Sequence, residues 1–305
     1  MRTRTTSFRR AALAGLALLY CFAAASAQEG RPGSAWAAEA AARYWVQPDI
    51  VYAAANNQPL KLDVWYEHDA KTPRPTLVYF HGGGWVFGSK ETSVLQFLPF
   101  LEKGWRVVNV GYRMSSSSHA PAAVEDTRCA LRWVFRNAKQ WNFDTNRIVL
   151  TGHSAGGHLS LITGLLPEGT GLDNQCYGEE KLNVAAVVNW YGITDVNDLV
   201  RGPNLKNYAV MWVGSRTDAA DVARRVSPLT YVREGLPPVL TIHGDKDDVV
   251  PYSHATRLHE ALERAKVPNQ LLTIKGGGHG GFSQAEYVRS YETVWAFLKR
   301  HKVID

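Results

Sequence analysis

From residue 76 onward the chain falls into short apolar runs separated by longer stretches whose apolar positions recur at helical spacing. The runs are TLVYF (76–80), WRVVNV (105–110), RIVLTG (147–152), VAAVVNWYG (184–192), PPVLTIHG (237–244) and NQLLTIKG (269–276). The helical patterns lie near 91–103, 121–141, 155–166, 252–266 and 284–301. Nearly continuous apolar strands separated by helices predict an α/β fold: a mostly parallel central sheet with helices on both faces. Upstream, IVYAA (50–54), a turn at 56–59 and the strictly alternating LKLDVWY (60–66) predict an antiparallel edge hairpin at the N-terminal side. Residues 193–232 separate two strands by far more than a short loop and predict a small lid insertion in a single domain, 49–305. Residues 28–48 read as a linker or arm. Ser115–Ser118 reads as an exposed loop, and no repeat or second domain is indicated.

The first 27 residues stand apart. Arg2, Arg4, Arg9 and Arg10 precede the apolar run AALAGLALLYCFAAA, which ends in Ala25-Ser26-Ala27, a small-x-small cleavage pattern. The run is too short and too poorly flanked for a stable membrane anchor, and Cys21 lacks the small neighbour of a lipoprotein cysteine. The expectation is a cleaved leader and a secreted or periplasmic protein, with Arg9-Arg10 leaving twin-arginine or general export open. Without the four leader arginines the 34 basic side chains fall to 30 against 28 acidic ones, so the basic balance comes mostly from the leader and no nucleic-acid partner is indicated. Cys129 and Cys176 remain in a compartment that permits a disulfide, but their spacing does not dictate one. The plainer expectation is Cys129 on the buried face of a helix and Cys176 in a loop.

GHSAGGH (152–158) places Ser154 between an apolar strand and a helical pattern, with Gly152 and Gly156 two residues to either side. That is the composition of a strand-turn-helix elbow, in which the nucleophile takes a strained backbone conformation and the glycines clear space for it. A serine hydroxyl near neutral pH needs a base and an acid to orient that base. The loops after two later strands offer both, in the order Ser, Asp, His. His279, set among Gly276, Gly277, Gly278, Gly280 and Gly281, is the candidate base. Within HGDKDDVVP the favoured acid is Asp247, two residues further into the loop than Asp245, which is expected to fix the loop; Asp248 and Asp195 are the alternatives. HGGGW (81–85) follows the first parallel strand, and Gly82, Gly83 and Gly84 can turn N–H groups toward a developing oxyanion together with Ala155. No Lys-Ser or Lys-Thr follows for phosphate binding. His81 is expected to hold the glycine loop. His153, His158, His243, His254 and His259 read as core, turn or surface residues, and no metal or cofactor is expected.

Together HGGGW, GYR (111–113), GHSAGGH, HGDKDDVVP and GGGHG resemble esterases of the α/β-hydrolase superfamily, in its hormone-sensitive-lipase and feruloyl or acetyl-xylan esterase-like branches, over residues 49–301. The resemblance implies the α/β-hydrolase fold, a triad of Ser154, Asp247 and His279, and oxyanion donors at Gly83, Gly84 and Ala155. The acid loop is nearer the feruloyl esterase-like branch, and the large N-terminal helical cap of the lipase branch is missing. GHSAGGH also resembles kynurenine formamidases; prolyl oligopeptidases share the acid loop but need a propeller absent from this sequence. The function expected is an exported serine carboxylic ester hydrolase acting through an acyl-enzyme on small or polysaccharide-linked acetyl or feruloyl esters. An arylformamidase and a catalytically inactive binding module are the alternatives. Trp85, Phe87, Tyr191 and Trp212 are candidates for lining the substrate pocket, with core packing as the competing reading.

Overall fold

The computed structural model describes residues 33–305, so the leader and the start of the arm lie outside the described residues. The described residues divide into two units, 33–40 and Ala41–Asp305. The described part of the first belongs to a helix, α1 (Gly33–Arg43).

In the second unit the strands are β1 (Tyr44–Ala55), β2 (Gln58–Glu67), β3 (Arg74–Phe80), β4 (Arg106–Val110), β5 (Phe143–His153), β6 (Ala186–Trp190), β7 (Val239–Gly244) and β8 (Asn269–Ile274). The helices are α2 (Val94–Glu102), α3 (Ala122–Arg136), α4 (Ala138–Trp141), α5 (Ala155–Leu165), α6 (Val196–Val200), α7 (Asn207–Val213), α8 (Ala219–Arg225), α9 (Ser253–Arg264) and α10 (Gln284–Arg300). Among the described residues the strands form one sheet in the order β1-β2-β4-β3-β5-β6-β7-β8. The pairs β1/β2 and β2/β4 are antiparallel, and every later pairing is parallel. This is the α/β-hydrolase architecture, with its antiparallel edge where the alternating hairpin predicts it.

Burial explains the pattern of the central strands. In β3, Val78 and Phe80 enter a cluster with side chains of α3 and α5, whereas Leu77 and Tyr79 pack with side chains of α2 and α10. Both faces are covered, so both parities must be apolar, and each large aliphatic or aromatic side chain so buried contributes about 1.5–3 kcal/mol.

The first strand starts earlier than expected. Residues 44–47, assigned to the arm by sequence, pair with β2 as far as Tyr44 opposite Glu67. Pro48 and a register shift between Gln47 and Ile50, where Asp49 takes a φ of 57°, interrupt the alternation that would have revealed the strand. An edge strand accommodates both irregularities. The hairpin turn is confined to Asn56 and Asn57, both left-handed, as a two-residue turn of right-twisted strands requires.

The insertion at 193–232 forms α6, α7, α8 and a short 3-10 turn, and Val196, Leu199, Ala209, Trp212, Val222 and Val226 are buried in the main core cluster. It is integrated into the domain core, and it reaches the acid loop: Lys206 Nζ donates to the carbonyl of Asp248 at 2.6 Å and Tyr208 Oη to that of Val249 at 3.2 Å.

Cys129 on α3 and Cys176 in the loop before β6 form a disulfide across 47 residues of sequence. Both halves of the plainer expectation about their positions hold; the bond joins them. Cys176→Ser is expected to lower the unfolding free energy by about 2–4 kcal/mol. Urea titration of the oxidised protein and the variant checks this, and coincident midpoints would contradict it.

Candidate active site

The sheet order decides which loops meet. The strands β3, β5, β7 and β8 run parallel, so the glycine loop, the elbow, the acid loop and the His279 loop all leave from the same edge of the sheet. At the elbow Ser154 has φ 57° and ψ −119°, between the end of β5 and the first residue of α5. A Cβ at Gly156 would lie 1.9 Å from the carbonyl oxygen of Phe80, and one at Gly152 2.3 Å from the same atom. No side chain fits at either position, which is the physical content of the two glycines in the motif.

Ser154 Oγ lies 2.8 Å from His279 Nε2, and His279 Nδ1 lies 2.8 Å from Asp247 Oδ2. The other carboxylate oxygen of Asp247 accepts the backbone N–H groups of Val249 at 2.9 Å and Val250 at 2.8 Å. The fully buried His243 adds a further bond: its Nε2 lies 3.1 Å from Asp247 Oδ2 and 3.0 Å from the carbonyl of Val250, so Nε2–H is the shared donor. Burial by itself would raise the Asp247 pKa, but the hydrogen bonds from His243 and His279 and the backbone of Val250 outweigh it and hold the carboxyl well below the ordinary range.

The carboxylates of two competing acids, Asp245 and Asp195, are engaged elsewhere. Asp245 accepts the N–H of Gly276 at 2.6 Å and so ties the acid loop to the His279 loop. Asp195 caps α6 through the N–H of Asn197 and pairs with Arg257. The carbonyl of Asp248 receives Lys206.

Gly83 and Gly84 take positive φ angles of 115° and 58° and line a cavity of about 590 Å³ together with Ser154 and His279. Ala155 is fully buried at the N-terminus of α5, where the first amides of a helix have no partner within it. His81 holds the glycine loop, as expected, by donating Nδ1–H to the carbonyl of Gly82 at 2.8 Å. Burial lowers its pKa to about 4 and keeps it neutral. The GYR segment acquires a role that no spacing rule announces. Tyr112 Oη donates to the carbonyl of His81 at 2.8 Å and its ring stacks on the imidazole, while Arg113 is clamped by the buried Asp126 at 2.7 and 2.9 Å.

Of the four aromatic candidates, Phe87 and Tyr191 line the cavity. Trp85 and Trp212 do not: both are fully buried and stacked on each other at 4.0 Å, with His158 packed edge-on against them. Trp85 sits at a chain reversal with φ 60°, and its indole fills the core between the glycine loop and α7, so the packing reading holds for both. Cavity-lining residues that sequence reading passed over include Tyr79, Ser93, Gln96, His153, Tyr208 and Val249. They come from several elements, and apart from Ser93 and Gln96, three residues apart, they share no spacing.

Buried neutral histidines also set the acid response. Burial lowers the pKa of His153 and His158 to about 3 and that of His81 and His254 to about 4. A pKa lower in the folded state means stability that is complete above the unfolded value, about 6.5, and is lost as pH falls toward the folded values, by at most about 1.4 kcal/mol per pH unit for each ring. The unfolding midpoint should therefore drop steeply between pH 6.5 and pH 4. A thermal series across that window checks it, and a flat profile would contradict it.

The family model described as BD-FAE matches residues 62–262. Esterase LipC of Mycobacterium tuberculosis is 33% identical over 227 residues, 72% of this chain and 56% of that protein. The chain spans about half to three fifths of the length of LipC and the related LipQ and LipM. Among solved structures, a truncated carbohydrate esterase from gut microbiota superposes with a TM-score of 0.72 at 25% identity, covering 86% of this chain and 98% of that one. Thermogutta terrifontis esterase 2 phosphorylated by paraoxon superposes with a TM-score of 0.68 at 27% identity, covering 83% and 93%.

Proposed function

The chain belongs to the BD-FAE family, and from that premise we propose that it is a serine carboxylic ester hydrolase working through an acyl-enzyme. The observation that carries the proposal is the unbroken relay Ser154–His279–Asp247, with both hydrogen bonds at 2.8 Å, at the wall of a cavity shared with Gly83 and Gly84.

In the first step Ser154 Oγ attacks the ester carbonyl while its proton passes to His279 Nε2, and the carbonyl oxygen becomes an oxyanion facing the N–H groups of Gly83, Gly84 and Ala155. Collapse breaks the bond to the alkoxy oxygen, which takes the proton from His279 and leaves as the alcohol. Water then attacks the acyl carbon, again giving a proton to His279. Breakdown of this second intermediate releases the acid and returns the proton to Ser154. Asp247 stays ionised throughout and stabilises the imidazolium.

Short acyl and aryl esters, including acetyl and feruloyl substituents of plant polysaccharide, are the proposed substrates. The rings of Phe87, Tyr191 and Tyr208 around the cavity support an aryl or small acyl group. A secreted or periplasmic location is proposed from the leader, and the Cys129–Cys176 disulfide supports an oxidising compartment. Acetyl-xylan, methyl ferulate and short 4-nitrophenyl esters assayed side by side test the substrate. Release from either of the first two is expected, and release from neither would remove the polysaccharide reading. Turnover of N-formylkynurenine far above all of the esters would replace ester hydrolysis with formamide hydrolysis.

A further inference from the structure

The turn that follows Asp247 is bonded through both its N–H groups and its carbonyls. Asp247 Oδ1 accepts the N–H of Val249 at 2.9 Å and that of Val250 at 2.8 Å. From the insertion, Lys206 Nζ donates to the carbonyl of Asp248 at 2.6 Å and Tyr208 Oη to the carbonyl of Val249 at 3.2 Å. These four bonds belong to only two peptide groups. The carbonyl of Asp248 and the N–H of Val249 form one, and the carbonyl of Val249 and the N–H of Val250 form the next. Among the described residues no backbone N–H bonds either carbonyl, so the insertion supplies partners that the loop itself does not. The two donors lie close together in the chain: Lys206 precedes α7 and Tyr208 is its second residue.

We propose that Lys206 and Tyr208 are positioning residues for the orienting acid, each acting on Asp247 through one peptide group. The inference rests on the ester hydrolase reading and extends the Ser154–His279–Asp247 relay by one step into the insertion. Hydrogen bonds in a chain polarise one another. A donor on a carbonyl oxygen draws electron density toward that oxygen and makes the N–H of the same peptide a stronger donor, most of all where the donor is an ammonium. Both strengthened N–H groups end on Oδ1. The tethered carboxylate then presents Oδ2 to His279 Nδ1 at 2.8 Å and to His243 Nε2 at 3.1 Å. Without the two donors the turn is free to shift, and Oδ2 shifts with it. Tyr208 has a second contact, since it lines the cavity and a Cβ at Gly84 would lie 3.0–3.1 Å from its Cγ, Cβ and Cδ2.

Lys206→Met and Tyr208→Phe remove the two donors with little change of shape. Lys206 is half-buried, and phenylalanine keeps the ring that packs against Gly84, so both variants retain the fold and the glycine loop. Each is expected to lower kcat on 4-nitrophenyl butyrate by about fivefold to tenfold, with KM within about twofold of the wild-type value. The decisive reading is a double-mutant cycle. In the Asp247→Asn background, assayed at high enzyme concentration, the same two substitutions should cost less than about twofold in kcat, because the acid they position has already ceased to orient His279. A role independent of Asp247 would cost the same factor in both backgrounds. Equal losses in the two backgrounds, or an unchanged kcat in either single variant, overturn the inference and leave the hydrolase reading in place. A wild type that hydrolyses no ester overturns that reading, and the inference with it.

Discussion

Ser154→Ala is expected to remove on the order of five to six powers of ten from kcat while leaving the fold intact. In the proposed mechanism the hydroxyl forms the bond to carbon, and among the described residues Ser154 is the cavity-wall side chain hydrogen-bonded to His279 Nε2. What survives is the acceleration that the oxyanion donors and binding give a water molecule. The fold should tolerate the change, since alanine keeps the Cβ and imposes no more strain than serine at φ 57°. The side-chain bond lost is the one to His279. Turnover of an aryl acetate together with the thermal midpoint tests both halves. Full activity in a folded variant would contradict the assignment.

Asp247→Asn is expected to lower kcat by about four powers of ten. Asparagine is nearly isosteric, and its carbonyl oxygen can still accept the N–H groups of Val249 and Val250. Its amide nitrogen then faces His279 Nδ1 and the Nε2–H of His243, which places a donor where two donors already point. His279 escapes the clash by moving its proton to Nε2, and that tautomer has no lone pair for the Ser154 hydroxyl. A loss of stability should accompany the loss of rate, because the His243 N–H keeps only the Val250 carbonyl. The control is Asp245→Asn: that carboxylate bonds Gly276 rather than His279, so its loss should cost less than about tenfold in kcat. Equal losses in the two variants would return the orienting acid to dispute.

Legibility in the sequence followed the range of the interactions. The central strands could be read because burial on both faces demands continuous apolar runs, and β3 and β5 carry them. Ser154 and His279 could be read because the elbow and the projecting loop need glycines at fixed offsets. Asp247 stood out from Asp245 on loop reach alone, and the two carboxylates do have different partners in the His279 loop, the imidazole for Asp247 and the Gly276 N–H for Asp245. Strand β1 was misjudged at its start because Pro48 and the irregularity at Asp49 break the local alternation without breaking the pairing.

Long-range features were the ones missed. Nothing local says that Cys129 meets Cys176, that Tyr112 supports the loop of His81, or that His243 bonds the acid. Trp85 illustrates the limit most sharply. Its place next to the glycine motif suggested a pocket wall, but proximity in sequence does not fix which way a side chain turns, and its indole entered the core against Trp212.

The relay itself is most directly tested by covalent labelling. The intact protein, incubated with a fluorophosphonate near neutral pH, should gain the mass of one phosphonyl group, and peptide mapping should place it on Ser154. The adduct should be absent from Ser154→Ala and form much more slowly in Asp247→Asn. A folded, ester-hydrolysing wild type that gains no adduct, or gains it on another residue, would contradict Ser154 as the nucleophile.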